Sequence, residues 1–348
     1  MEVLRSRAPL RLSFAGGGTD VSPYPEEKGG AVLNCTIDKY AYATLSGHQG
    51  HGGLKVHSLD YDVIASYQTP EELTYNGELD LVKAAIRVLR PADNGATAED
   101  LELFLHSDAP PRTGLGGSSA LVVALVAAFQ RLLHQPWTPY EVAELAYRIE
   151  REELGVRGGR QDQYTAAFGG FNFMEFGRSG TIVNPLKIPK DTLNELGYRL
   201  LLCYTGTSHY SGDIILQQQT AYEQGRKDTV EALDETRRLA VEMKNHLLRG
   251  NIDDMGRLLN EGWEYKKKFT AGITTPQVDD LYARAKAAGA LGGKLTGAGG
   301  GGYLLLFCDF AKRADVARVV TEAGGRVVDF RFDLDGVQTW PVRQGHSN

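Results

Sequence analysis

Between Pro110 and Ala120 the chain reads Pro-Pro-Arg-Thr-Gly-Leu-Gly-Gly-Ser-Ser-Ala. A glycine-rich turn, two adjacent hydroxyls and a run of strong helix formers follow one another. The chemistry this offers is anion binding. The N–H groups of a first helical turn have no partner inside the helix, the macrodipole favours negative charge there, and glycine lets a phosphate approach the backbone. Ser118 and Ser119 stand where a hydroxyl reaches a phosphate or its metal. A plain helix cap draws on the same residue types, since serine caps helices and glycine makes turns.

Three other blocks carry groups that do chemistry. Arg11-Leu-Ser-Phe-Ala-Gly-Gly-Gly-Thr19-Asp20 runs from a cation into a glycine turn that ends on an acid. Asp20 is a turn cap or an acceptor for sugar hydroxyls, because both carboxylate oxygens accept hydrogen bonds. Glu150 to Tyr164 leads from a charged helix end through Gly158-Gly159-Arg160 to Asp162, flanked by Gln161 and Gln163. A carboxylate beside a fixed guanidinium can take a proton from a bound hydroxyl. A solvated helix end with an incidental acid is the plainer account. Lys294-Leu-Thr296-Gly297-Ala-Gly299 opens the last block, which matches G-x-G-x-x-G at Gly297, Gly299 and Gly302. A dinucleotide site needs a strand before that string and a helix after it, and here a strand follows. No G-x-x-x-x-G-K-[ST] string occurs. A glycine hairpin or a turn closing on a ligand remains.

These blocks need elements to hold them. Leu101, Leu103 and Leu105 alternate with Glu102, Phe104 and His106, which predicts a strand before the central turn. Ala120 to Leu133 predicts a buried helix after it. Strands and turns are expected over the first 65 residues, including Val32 to Leu45, then a helix over Leu79 to Leu89. Val142, Leu145, Ala146 and Ile149 share one face of a helix expected over Glu141 to Glu153. Arg178-Ser179-Gly180, Pro185 and Pro189 suggest a boundary. Beyond it come a strand over Arg199 to Tyr204, helices from Asp213 to about Phe269, and a helix over Pro276 to Gly289. A strand over Tyr303 to Phe307, a helix over Ala311 to Ala323 and a strand over Arg326 to Phe332 complete the pattern. The fold class is α+β, with two mixed layers joined near residue 180 and domains over 1–180 and 181–348.

Composition narrows the partners. A chain of 348 residues has room for two domains sharing a cleft. Its net charge of −6 gives no electrostatic reason to expect nucleic acid or an anionic membrane. The longest apolar run, Ala120 to Phe129, is too short to span a bilayer, and no signal-peptide core is seen. Cys35, Cys203 and Cys308 lack metal-ligand spacing and suggest reduced, buried thiols in a cytoplasmic protein. A homo-oligomer is compatible with all of this. The glycines cluster between apolar segments, at 16–18, 29–30, 50–53, 114–117, 158–159, 169–170, 292–293 and 297–302. Such clusters mark tight turns or backbone approach to a ligand rather than linkers.

In order and content the four blocks resemble those of the GHMP kinases, the family of galactokinase, homoserine kinase and mevalonate kinase. The resemblance covers essentially the whole chain. It implies a ribosomal-protein-S5-like N-terminal domain and a ferredoxin-like C-terminal domain, with the active site between them. It implies ATP and Mg²⁺, with Gly114, Leu115, Gly116, Gly117, Ser118 and Ser119 wrapping the ATP phosphates. Ser118 is the implied metal ligand when the strings are matched without a gap, and Ser119 when the serine pairs are matched. Glu150 is the second implied metal ligand, with Glu153 as fallback, and Asp162 the implied base. Arg11, Thr19 and Asp20 fall at sugar-binding positions, and Thr296, Gly297 and Gly299 support phosphate and substrate from the other domain.

Gly16-Gly17-Gly18 stands where galactokinases have Gly-Glu-His, so an acidic sugar contact is missing and galactose is disfavoured. The strings Arg11 to Asp20 and Gly159-Arg-Gln-Asp-Gln-Tyr164 are most similar to those of the branch acting on D-glycero-D-manno-heptose 7-phosphate. That resemblance implies phosphorylation of the anomeric hydroxyl to a 1,7-bisphosphate, for GDP-heptose and surface polysaccharide. A sugar phosphate needs a cationic pocket, for which Lys39, Arg112, Arg157, Arg160 and His209 are candidates. Two rival readings stand beside it: a kinase for fucose, an octose phosphate or another sugar, and a nucleotide-binding regulator without catalysis.

Overall fold

The computed structural model describes residues 2–47, 53–89, 101–207 and 211–343. The first part of the chain forms β1 (Leu4–Ala15), α1 (Tyr24–Lys28), β2 (Gly30–Gly47), β3 (Leu54–Ser58), β4 (Val63–Tyr67), α2 (Asp80–Leu89) and β5 (Leu101–Ser107). It continues with α3 (Gly117–Leu132), α4 (Pro139–Tyr147), a π turn over Arg148–Glu153, α5 (Gln161–Phe168), β6 (Phe171–Gly177) and β7 (Gly180–Pro185). The second part has α6 (Lys190–Arg199), β8 (Leu200–Tyr204), α7 (Ser211–Glu223), α8 (Lys227–Leu248), α9 (Met255–Lys266), α10 (Pro276–Ala288), β9 (Ala290–Leu295) and β10 (Tyr303–Cys308). Last come α11 (Arg313–Glu322), β11 (Arg326–Val328), β12 (Phe332–Asp333) and β13 (Gln338–Pro341).

Two sheets organise these elements. The nine-stranded sheet runs β13-β1-β2-β5-β3-β4, with β6, β7 and β12 joined through β2. The four-stranded sheet runs β11-β8-β10-β9. β2 is the spine of the first sheet. One edge pairs with β1 throughout, and the other is shared by β6 at Gly30–Cys35, β12 at Thr36 and Ile37, and β5 at Ala41–Gly47. Each sheet carries helices on a buried face, so two apolar clusters form: one around Leu10, Leu12, Val123 and Phe129, the other around Leu201, Trp263, Leu304 and Leu306. β10 is buried at every position, as expected of the apolar run Tyr303 to Cys308 in a central strand.

The expected α+β class is present, and four local expectations change. The helix foreseen over Glu141 to Glu153 is α4 followed by the π turn. A capping box at Thr138 and Glu141, with Pro139 in the first turn, starts α4 two residues early. The Arg178-Ser179-Gly180 turn is no crossing point, because it closes the β6–β7 hairpin inside the first sheet. The strand foreseen over Arg326 to Phe332 is divided, β11 pairing with β8 of the second sheet and β12 with β2 of the first. Sheet membership therefore departs from a division at residue 180, since β7, β12 and β13 all belong with β1. Gly50 to Gly52 and His209 lie outside the described residues. Among the described residues no helix is long and apolar enough to cross a membrane.

Candidate active site

Arg11 lies on β1 where that strand passes beneath the start of α3. Its backbone N–H donates to Leu115 O at 3.0 Å, which pins the glycine loop to the strand. Its guanidinium, in a side chain 7% exposed, grips the Asp162 carboxylate in two-pronged fashion, Nε to Oδ1 at 2.8 Å and Nη2 to Oδ2 at 3.0 Å. The remaining nitrogen, Nη1, donates to Gly114 O at 2.5 Å and Thr296 O at 3.1 Å. One side chain thus joins the glycine loop, the first turn of α5 and the turn after β9.

The loop enters α3 through Gly116 in the left-handed region, φ 75°, and no side chain caps the helix. The serines are therefore not used as caps. Ser118 Oγ donates to Glu150 Oε1 at 2.8 Å, and Ser119 Oγ to Glu150 Oε2 at 2.6 Å. Glu150 is presented by the π turn, a widened turn of the kind that often marks functional sites. Gln163 Nε2 donates to Glu150 Oε2 at 2.7 Å and to Ser119 Oγ at 3.1 Å, and Arg151 Nη1 lies 3.5 Å from Glu150 Oε1. Ser119 and Glu150 are buried, whereas Ser118 is exposed.

Three consecutive residues in the first turn of α5 serve three different groups. Gln161 takes Asp20, Asp162 takes Arg11 and Gln163 takes Glu150. Successive side chains on an α-helix point about 100° apart, so one turn reaches all three. Asp20 is 3% exposed and accepts from the N–H groups of Gly18 and Gln161, both at 3.1 Å. Burial raises its carboxyl pKa above the usual range, those N–H groups oppose the rise, and neighbouring Asp162 adds to it. Gly159 makes room for it, since a Cβ there would lie 2.0 Å from Asp20 Oδ2.

The turn after β9 closes the site from the second sheet. Gly297 lies against Gly114 so tightly that a Cβ on Gly297 would stand 2.5 Å from Gly114 Cα. Lys266, the last residue of α9, donates to Leu295 O at 3.3 Å and to Gly297 O, while Lys294 on β9 donates to Ser13 O at 3.0 Å. Both lysines are buried. Burial pushes the Lys294 ammonium pKa down to about 7, with Arg11 adding to the fall and Asp20 opposing it. Burial also pushes Lys266 well below the ordinary lysine range, helped by Lys294 and Arg11. The whole arrangement can bind a polyanion over the α3 N-terminus and hold a hydroxyl at Asp162.

Comparison with known proteins agrees with that chemistry. The family model for the GHMP kinases N terminal domain matches residues 80–170, and that for the GHMP kinases C terminal matches 243–326. The D-glycero-alpha-D-manno-heptose 7-phosphate kinase of Campylobacter jejuni subsp. jejuni is 37% identical over 346 residues, 98% of this chain and 100% of that one. The chain belongs to the GHMP kinases. A crystal structure described as a D-glycero-D-manno-heptose 1-phosphate kinase from Bacteriodes thetaiotaomicron superposes with a TM-score of 0.81 at 36% identity, covering 98% of this chain and 100% of that one. The mevalonate kinase of Methanococcus jannaschii shares the fold, with a TM-score of 0.75 at 18% identity over 94% of this chain and 98% of that one.

Within this GHMP kinase the residues expected from sequence converge, with some changes. Arg11, Gly114, Gly116, Ser118, Ser119, Glu150, Asp162, Thr296 and Gly297 meet as described. Glu153, the fallback for Glu150, instead accepts from Tyr75 at 2.5 Å. Leu115 brings only its backbone, because its side chain is 1% exposed in the core. Gly117 is the first residue of α3. Buried Thr19 does not present its hydroxyl to a sugar: Oγ1 donates to Gly16 O at 2.7 Å and accepts from the Ala31 N–H at 3.1 Å, and shapes the turn instead. Gly299 is packed on the backbone of Ile273 rather than on Gly114. Among the basic candidates, Arg160 is engaged by Glu144 and the Tyr147 ring, Lys39 sits at the β2 bulge, and Arg112 and Arg157 are exposed.

Sequence reasoning passed over Gln161, Gln163, Lys266 and Lys294. Two glutamines flanking Asp162 carried a signal, since a helix start with alternating amides is able to brace acids on either side. Lys266 carried none, being one of three consecutive lysines.

Proposed function

We propose that this kinase transfers the γ-phosphoryl group of ATP to the anomeric hydroxyl of a D-glycero-D-manno-heptose 7-phosphate. Full-length 37% identity to the Campylobacter jejuni heptose 7-phosphate kinase is the observation that carries the substrate. The site geometry supports the reaction class. Phosphoryl transfer asks a protein chiefly for positioning and charge neutralisation. The uncapped start of α3, behind Gly114 and Gly116, offers N–H groups to the phosphates.

The donor set suits a magnesium ion, with hard oxygens from a carboxylate and hydroxyls already gathered. Glu150 and the exposed Ser118 would hold it, and when bound it supplies positive charge at the β- and γ-phosphates. Buried Ser119 and Gln163 brace Glu150 from behind. Asp162 orients the acceptor hydroxyl and takes its proton late, as bond formation to phosphorus makes that proton acidic. Arg11 holds Asp162 in the attacking geometry through both carboxylate oxygens. Asp20, fixed by Gln161, is set to receive sugar hydroxyls. Three free, buried thiols fit a cytoplasmic setting, where the product would feed nucleotide-activated heptose for surface polysaccharide.

The test is ADP release with MgATP and a panel of heptose 7-phosphate, unphosphorylated heptose, mannose, fucose and galactose. Turnover on the heptose phosphate at least about 100-fold above the neutral sugars is expected, because a site built to hydrogen-bond one ligand leaves buried polar groups unpaired with the wrong one. Faster turnover on fucose or another neutral sugar overturns the substrate and keeps the kinase.

A further inference from the structure

The turn Leu295-Thr296-Gly297 has three consecutive carbonyls, and each is captured by a cation. Lys266 takes Leu295 O and Gly297 O from the side of α9, and Arg11 takes Thr296 O from β1. A peptide unit is planar, so fixing a carbonyl also fixes the N–H on its other side. The N–H groups of Thr296, Gly297 and Ala298 are thereby set by one side chain from helix α9 and one from strand β1. Lys294 adds a second tie, from β9 to Ser13 O, two residues along β1 from Arg11. The turn then rests on Gly114, whose own carbonyl is held by the same Arg11.

We infer that Lys266 is a positioning residue for phosphoryl transfer, setting the 295–297 turn against the phosphate loop so that Arg11 and Asp162 meet the acceptor at the right height, with Lys294 anchoring the strand behind it. This rests on the kinase reading above. Burial of two lysines is unusual unless they are paired, and nothing in a packing role requires a cation here. The charged groups facing Lys266 are Lys294 on β9, Arg11 on β1 and Asp20 in the turn after β1. Burial, with repulsion from Arg11 and, at Lys266, from Lys294, holds both ammonium groups below the ordinary range, while Asp20 opposes the fall. An uncharged amine has two N–H donors, matching the two carbonyls that Lys266 serves. The geometry is that of two N–H bonds from one amine to two carbonyls of the same turn.

The experiment compares wild type with Lys266→Met, Lys266→Gln and Lys294→Met in steady-state kinetics on the sugar that wild type turns over best. Lys266→Met is expected to lower kcat about 100-fold, the cost of misplacing reacting groups by about 1 Å, with both KM values within about 3-fold of wild type. Lys266→Gln, which still donates N–H bonds, is expected to recover about tenfold of that loss. A Lys266→Met enzyme within about 3-fold of wild type in kcat overturns the inference, as does a Gln variant no better than Met. Loss shown wholly in KM overturns it too, because that is uniform binding rather than positioning. Should Lys266→Met fail to fold, the Gln variant and Lys294→Met carry the same test, each expected to lower kcat at least about fivefold without raising KM. Wild-type turnover on the panel separates a wrong substrate from a wrong lysine.

Discussion

The bidentate Arg11–Asp162 pair concentrates the site's chemistry in two side chains. Asp162→Asn keeps the shape, loses the proton acceptor and half the grip on Arg11, and is expected to lower kcat by about 10²–10⁴-fold with little change in sugar KM. Near-wild-type turnover would remove Asp162 as base. Ser118 and Ser119 separate in the same way. Ser118→Ala is expected to raise the Mg²⁺ concentration needed for half-maximal rate several-fold, measured by metal titration, with Ser119→Ala acting mainly on stability. Lys294 gives a signed pH effect. Its pKa is near 7 when folded and near 10.5 when unfolded, so the unfolded chain binds more protons between those values. Its contribution to stability therefore rises with pH across that window, being least favourable at and below pH 7. The Tm advantage of Lys294→Met over wild type is expected to shrink from pH 7 to pH 9.5, and a constant difference would contradict the assignment. Asp162, Arg11 and Glu150 were singled out because their blocks, in order and content, resemble those of a known kinase family, and the structure brings Arg11 to Asp162 and Glu150 to the serines. Lys266 was not, since Lys267 and Lys268 beside it are the same residue type with other surroundings, and only α9 packing on β9 singles out the first.

At the scale of elements, the site depends on one irregular turn and one backbone contact. The alternation in β5 and the apolar face of α4 were readable because periodicity reports which side is buried. The π turn was not, because helix propensity is blind to whether a carbonyl bonds four or five residues on. Yet that widened turn is what brings Glu150 to the serines. The glycine block after β9 left a hairpin and a ligand turn open; β9 and β10 pair in antiparallel fashion, and the turn between them lies on the glycine loop at Gly114. Gly297→Ala is expected to lower kcat more than tenfold and to cost about 1–3 kcal/mol of stability, seen as a lower Tm, because the added methyl meets backbone that cannot swing aside. Unchanged kinetics would show that the two loops move apart without consequence.

Across the whole molecule, the α+β class was foreseen, while the sheet membership of the last strands was not. Short strands such as β12 and β13 carry little pattern, and their place is decided by partners hundreds of residues away. β13 covers the outer edge of β1 at Leu4 to Arg7, and β12 fills the gap on β2 between β6 and β5. A chain stopped at residue 331 is expected to elute as aggregate in size-exclusion chromatography, since it leaves the β1 edge unpaired. The same arrangement makes assembly wait on synthesis. Residues 4 to 7 are synthesised more than three hundred residues ahead of the strand that shields them. Throughout that interval the nascent first sheet offers an open hydrogen-bonding edge to every neighbouring chain on the same message. Cellular yield of this enzyme will therefore respond to elongation rate and chaperone supply more than its finished stability suggests.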